Sequence, residues 1–384
     1  MGSCGYGDAA LTYMKVLIER NIPLRWSPLV YTRWGLAPRH MLPSKNRPVL
    51  GDVETGVYKR LELMQCLEKD IEYDTVFLHS MPELWPKLVE PGKVNIGYTV
   101  WETDRLPRHW PEIFPCVDRL CVPCEFNCEL FSTTQGPAVS VVPHAIRKPA
   151  HKSTKQDLEE YRSELGIAES MYIFYIIAAW DPRKAMHETL HAFLRAFDAE
   201  DNVCLLIKTD EKGCFDNSGR RKQVSEISKE IITGYSNAAK VVIIPDRIPE
   251  REIQYIHEIG DCFFSLTHCE GWGLGAFDAA ASGNPVIITG WGGQLDYLPA
   301  ENSYHVKYAL KALQEIRGWE SYDGRQKWAY ADMDDAIRLL HHCYQNRNEA
   351  KEKGLQLQAS VSSRFSIEQV TKSLLGAIDG AHSK

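Results

Sequence analysis

Two apolar runs joined by a glycine-rich turn and a short helix constrain this chain most. The stretch from Phe263 to Leu298 reads FFSLTHCEGWGLGAFDAAASGNPVIITGWGGQLDYL. Cys262 to Leu266 is an apolar β-type run that ends in a polar loop carrying Glu270. Gly271, Gly273 and Gly275 then alternate with larger residues. An alanine-rich helix follows, with Asp278 in its first turns and Gly283 as its C-terminal stop. Pro285 to Ile288 is a second buried strand, and Gly290 to Gly293 a second glycine loop before Gln294 to Leu298. Strand, glycine loop and helix N-terminus together receive an anion. Glycine lets backbone N–H groups approach closely, and the helix dipole favours negative charge there. The two carboxylates repel phosphate and suit hydroxyls instead, as on a sugar or a ribose. The stretch implies a site for a nucleotide sugar.

At 384 residues the chain exceeds what one hydrophobic core usually serves, so two domains are expected. A net charge of -7 without a long basic run argues against nucleic acid as a partner. No apolar stretch approaches the roughly 20 residues of a membrane span, and the N-terminus lacks a signal-peptide pattern. At most a weak peripheral membrane contact is expected. Eleven scattered cysteines, an odd number, point to reduced thiols and a cytoplasmic setting.

The chain opens on a glycine loop, GSCGYGD, with Asp8 placed to cap a helix from Ala9 to about Arg20. No strand precedes it, so either the first strand of the N-terminal sheet is lacking or the start has been trimmed. Its G-x-x-G-x-G order is not the dinucleotide fingerprint. Ile22 to Val30 reads as a strand, Tyr31 to Gly51 as irregular, and Gly56 to Glu68 as a helix. Strands follow at Thr75 to His79, Val94 to Val100, Arg119 to Pro123 and Val139 to Val142. Glu102 and Asp104 follow a strand end, where open parallel sheets bind ligands, and are acceptor-side candidates or turn caps. Arg147 to Leu158 is a polar linker.

Beyond it lie a helix near Leu158 to Leu165, the strand Tyr172 to Ala178, and the sequence WDPRK before a long amphipathic helix, Glu188 to Phe197. Arg183 and Lys184 at a helix start are unfavourable unless an anion sits there. Lys208 ends the next strand, Val203 to Lys208, and points where ligands gather. A loop and helix over Glu211 to Lys229, a strand Val241 to Ile244 and a helix Ile253 to Ile259 follow. Helices from Tyr308, Met333 to Tyr344, Arg347 to Leu357 and Ile367 to Ile378 complete the chain.

Three metal-like patterns carry less weight. The spacing Cys116-x4-Cys121-x2-Cys124-x3-Cys128 has a ferredoxin-like start, but its members fall on a strand and a helix, which do not wrap sulfurs around one cluster. His341, His342 and Cys343 are helix neighbours that do not share a metal easily, and Asp332 to Asp334 falls in a helical pattern. No metal site is expected.

Glu270 and Asp278, eight apart around GWGLGAF and followed by AAASGNPVI, resemble the E-x7-E signature of the family-four retaining glycosyltransferases. That family has the α/β GT-B fold, two Rossmann-like domains with parallel sheets facing across a cleft. It usually carries glutamate at the second position. The run VPCEFNCELF…VSVVPHAI resembles the end of the family's N-terminal domain, with Cys124 in place of serine and Ala145 in place of glycine. WDPRK resembles the R-x4-K segment with its following G/N; Lys184 matches the lysine, and the expected arginine falls on Ala178 or Ala179.

The resemblance implies residues 1–148 as acceptor-side domain, 149–362 as donor domain and 363–384 as a helix packing back towards the N-terminal domain. It implies transfer of a sugar from a nucleotide diphosphate sugar to a hydroxyl acceptor, with retention. The acceptor class stays open among glycan, lipid-linked sugar and small molecule, as does the oligomeric state. Lys184 and Arg183 would neutralise the diphosphate and Glu270 would hold the sugar. Asp278 would hold the ribose, with Gly273, Leu274, Gly275, Lys208, Gly5 and Gly7 on the donor. Glu102, Asp104 and His144 would face the acceptor. No cofactor is implied, since the nucleotide sugar is a substrate. A phosphorylase of the same fold and a catalytically silent sugar-binding subunit remain alternatives.

Overall fold

The computed structural model describes residues 5–32, 35–44, 65–147, 152–211, 222–313 and 321–383. The expected helix from Gly56 falls mostly outside these residues. The chain divides into two compact units. One comprises Met1–Trp101, Leu106–Arg147 and Phe365–Lys384, and the other Glu102–Arg105 and Lys148–Arg364.

The first unit begins with α1 (Gly5–Glu19) and a short antiparallel hairpin, β1 (Leu29–Thr32) and β2 (Gly35–Pro38). Its sheet is β3 (Thr75–His79), β4 (Val94–Tyr98), β5 (Arg119–Val122) and β6 (Val139–Val141), parallel throughout and in chain order. A single turn, α2 (Trp110–Ile113), and α3 (Glu125–Phe131) connect its later strands. The strand read over Ile22 to Val30 is a correction. Only its last residues form β1, and they pair within the hairpin, not with the parallel sheet.

In the second unit the elements are α4 (Lys155–Glu164), β7 (Tyr172–Ile177), α5 (Met186–Ala196), β8 (Val203–Lys208), α6 (Val224–Thr233), β9 (Lys240–Ile244), α7 (Glu250–Ile259), β10 (Cys262–Ser265), α8 (Leu274–Ala281), β11 (Val286–Thr289) and β12 (Tyr304–Val306). The sheet order is β12-β11-β10-β7-β8-β9 and every pairing is parallel. Counted from its own first strand, this is the 3-2-1-4-5-6 order of a doubly wound sheet. The strands β7, β8, β10 and β11 are almost wholly buried, which is why each reads as a continuous apolar run instead of an alternation.

The helix expected from Tyr308 is overturned. β13 (Tyr308–Ala312) and β14 (Lys327–Ala331) form an antiparallel hairpin. α9 (Met333–Gln345) and α10 (Arg347–Arg364) follow it. The Asp332 side chain caps α9 by accepting from the Asp335 N–H. The chain ends in α11 (Ile367–His382), capped by Ser366. Val370, Leu374, Ala377 and Ala381 of α11 share one buried cluster with Tyr13 and Val16 of α1 and with Ile96, Tyr98 and Cys121 of the sheet. Arg119 donates to the Gly380 carbonyl at 2.6 Å and fastens the end of that helix.

Candidate active site

In a doubly wound sheet the ligand crevice opens where strand order reverses, beyond the carboxyl ends of the two central strands. Here those strands are β7 and β10. A small recess, about 30 Å³ in cavity volume, lies there, lined by Ile177 and Ala178, Phe263 and Ser265, Lys184, Glu270, Gly273 to Ala276 and Ile288. Strand order thus brings together residues from three stretches of the chain, 177–184, 263–276 and 288.

The start of α8 forms one wall. Gly273 precedes the helix with φ +86, a left-handed conformation that favours glycine. The buried Tyr297 hydroxyl donates to the carbonyls of Trp272 and Gly273 at 2.9 and 2.8 Å and fixes this loop. The first helical bond runs from the Phe277 N–H to the Gly273 carbonyl. The N–H groups of Leu274, Gly275 and Ala276 therefore point out of the helix start, as an anion cradle requires. A Cβ on Gly275 would stand 2.5 Å from the Ile177 carbonyl oxygen, so glycine allows helix and strand to touch. Gly275→Ala is expected to lower folding stability by about 2 kcal/mol, because the obstacle is backbone. It should also weaken binding in the recess. Urea unfolding and ligand titration of one preparation check both; unchanged stability would mean that the helix shifts freely.

The charged centre is Glu270, whose side chain is 10% exposed. Lys184 Nζ lies 2.7 Å from both of its carboxylate oxygens. Arg183 Nη1 donates to Glu270 Oε2 at 3.1 Å and to the Cys269 carbonyl at 2.7 Å. The Thr267 hydroxyl donates to Glu270 Oε1 at 3.0 Å. Burial works to raise the pKa of Glu270, but Lys184 and Arg183 outweigh it and hold it down at about 2. Arg183 is set the other way: burial works against its charge, yet Glu102, Glu270 and Asp181 raise it well above the usual value.

A tight turn presents these cations. Asp181 caps it by accepting from the Lys184 N–H, and Ala185 closes it at φ +48. That left-handed position is where the resembled motif has Gly or Asn.

The remaining candidates divide. Glu102 joins the cluster, with Oε1 3.5 Å from Arg183 Nη2. Burial raises its pKa, Arg183 offsets this in part, and Glu270 adds to the rise. Asp104 takes a different place: its Oδ1 accepts from the Lys327 N–H at 2.6 Å at the start of β14. His144 belongs to the first unit, where its Nδ1 lies 2.9 Å from the Tyr13 hydroxyl. Lys208 is buried at the end of β8, its ammonium donating to the Thr209 carbonyl. Asp278 is half-buried on α8, one turn beyond the helix start, and does not line the recess. Gly5 and Gly7 are a correction, since they lie within α1 and not in a loop. Each glycine costs a helix about 1 kcal/mol. Burial of Ala9, Tyr13 and Val16 on one face of α1 outweighs that.

Sequence reasoning missed the hairpin. Of the two positions, Ala178 and Ala179, on which the expected arginine falls, Ala178 lines the recess. The hairpin had a signal in the five-residue β-type run KWAYA, where Trp328 and Tyr330 alternate with alanine. Trp328 Nε1 donates to the Glu102 carbonyl at 3.0 Å.

No protein-family model matches the chain, and no curated protein matches it by sequence. Solved structures do match it in fold. HepE of Anabaena, solved in complexes with UDP and glucose and with UDP-glucose, aligns at 14% identity with a TM-score of 0.61. With UDP and glucose bound, the alignment covers 80% of this chain and 78% of HepE. A glycosyltransferase from Rickettsia africae aligns at 13% identity and a TM-score of 0.65 over 86% of this chain and 89% of its own. Sucrose-phosphate synthase of Thermosynechococcus elongatus aligns at 13% identity and a TM-score of 0.59, covering 81% and 74%. Two Rossmann-like units with separate parallel sheets, the second in doubly wound order, and this likeness together give the chain the GT-B fold.

Proposed function

We propose that the protein is a glycosyltransferase that moves a sugar from a nucleotide diphosphate sugar to a hydroxyl acceptor, with retention of anomeric configuration and without a metal. The observation that carries this reading is Glu270, held ionised between Lys184 and Arg183 at a recess closed by the glycine-rich start of α8. As the donor bond breaks, the sugar gains positive and the diphosphate negative charge. Lys184 and the N–H groups at the start of α8 are placed to meet the diphosphate, and Glu270 to hold sugar hydroxyls. HepE binds UDP-glucose in a related fold, which supports a sugar nucleotide as donor. The test is to incubate the protein with a panel of nucleotide sugars and measure free nucleoside diphosphate. Slow hydrolysis of one donor supports the reading and names the donor; silence across the panel, with no binding by calorimetry, defeats it.

In this reading Asp278 holds the ribose diol from the second turn of α8. Asp278→Ala should weaken donor binding by about 2 kcal/mol, the scale of a hydrogen bond to a charged group. Calorimetry with ribose and 2′-deoxyribose donors checks it. Equal affinities for both, unchanged by the substitution, would remove Asp278 from the site.

A further inference from the structure

Glu270 has two cationic partners, and their surroundings differ. Lys184 lines the recess and reaches Glu270 through its ammonium. Arg183 does not line it and has more fixed partners, with Nη1 on Glu270 and the Cys269 carbonyl and Nη2 facing Glu102. Its own carbonyl accepts from the His268 N–H at 2.8 Å.

The hairpin strand β14 braces both sides of this arginine. On one side Trp328 Nε1 donates to the Glu102 carbonyl at 3.0 Å, and the Lys327 N–H donates to Asp104. On the other side the Ala329 N–H donates to the His268 carbonyl at 3.1 Å, two residues before Glu270. His268 also stacks on Trp328, with centroids 5.5 Å apart. Three consecutive residues of β14 thus set the spacing between the two carboxylates that flank Arg183.

We infer that the two cations divide their tasks: Lys184 exchanges from Glu270 onto the donor diphosphate, while Arg183, held by the positioning residue Glu102, keeps Glu270 aimed at the sugar. This rests on the transferase reading above. A diphosphate in the recess competes with Glu270 for Lys184. Once the lysine moves, Arg183 alone compensates the buried Glu270 charge, and an arginine free to follow the diphosphate would leave that charge stranded. Glu102 prevents this by giving Arg183 a second fixed anion. Glu102 acts through Arg183 and does not need to touch the substrate.

The test compares Glu102→Gln, Glu102→Asp and Lys184→Met with the unaltered protein, using the nucleoside diphosphate released in the donor screen as the binding probe. Glu102→Gln should lower kcat of donor hydrolysis by about 10-fold or more, the scale of a misaimed reacting group, with diphosphate affinity changed less than about threefold. Glu102→Asp should recover part of kcat. Lys184→Met should lose diphosphate affinity by about 10-fold or more. Equal losses of kcat and affinity in Glu102→Gln, or no loss of kcat, would overturn the division. Should Glu102→Gln fail to fold, Trp328→Phe removes the donor to the Glu102 carbonyl, keeps the ring, and should show the same split.

A second readout does not use turnover. The guanidinium nitrogens of Arg183 should show hindered rotation by ¹⁵N NMR in the unaltered protein and faster rotation in Glu102→Gln. Free rotation in the unaltered protein overturns the clamp by itself. If no donor is turned over or bound, the transferase reading fails while this measurement still decides the clamp.

Discussion

Replacing Lys184 by alanine is expected to cut turnover of the donor by about 10²-fold or more, the effect of removing one preorganised electrostatic donor. Lys184 belongs to a tight turn before α5, its side chain 17% exposed and ion-paired, and it carries no share of the hydrophobic core. The fold should therefore survive. Arg183 does not substitute for it, because Nη1 is already on the Cys269 carbonyl and Glu270. The missing arginine of the resembled motif sharpens the effect, since Ala178 supplies no charge to the recess. The measurement is kcat and KM of donor hydrolysis, with circular dichroism and a melting curve as controls. Near-normal kinetics would remove Lys184 from the mechanism.

The second large effect is acid sensitivity of the first unit. His144 is buried there and His79 half-buried with both ring nitrogens out of solvent, and this desolvation lowers the pKa of His79 from 6.5 to about 4 and that of His144 to about 3. For His144 the neighbouring His79 adds to the fall. Folded values below the unfolded value mean that the folded state favours neutral imidazole. The stability they supply is complete above about pH 6.5 and is lost as the pH falls towards 3 to 4. By about pH 5 each histidine costs about 2 kcal/mol, or about 4 kcal/mol together if they act independently.

Amide exchange in β3 to β6 at about pH 5 and about pH 7.5 reads this locally. A local probe is needed because the raised value of Glu102 in the second unit works in the opposite sense. His144→Asn preserves an acceptor near the Tyr13 hydroxyl and removes the titration, so it should roughly halve the loss. A flat profile in the unaltered protein would show that both imidazoles take up protons without cost.

Much of the second unit was legible in the residues themselves. β8 has the expected bounds, and β7, β10 and β11 differ from them by about a residue at an end. Buried parallel strands write themselves as unbroken apolar runs. The turn into α8 was legible too, because a left-handed residue at Gly273 and a close approach at Gly275 are demands that glycine alone meets without strain. Such signals are local.

Three features were decided only by tertiary structure. Gly5 and Gly7 are helical because α1 buries a face against the first sheet, and that burial outweighs two poor helix formers. β13 and β14 form because each supplies the other's hydrogen bonds; the run KWAYA marks one strand but does not name its partner. Glu102 meets Arg183 because the fold brings a segment from the first third of the chain into the second unit. Glycine chemistry and apolar runs act over a few residues and are legible wherever burial elsewhere does not override them. The pairing of two charges or two strands depends on which distant segments the closed chain places side by side.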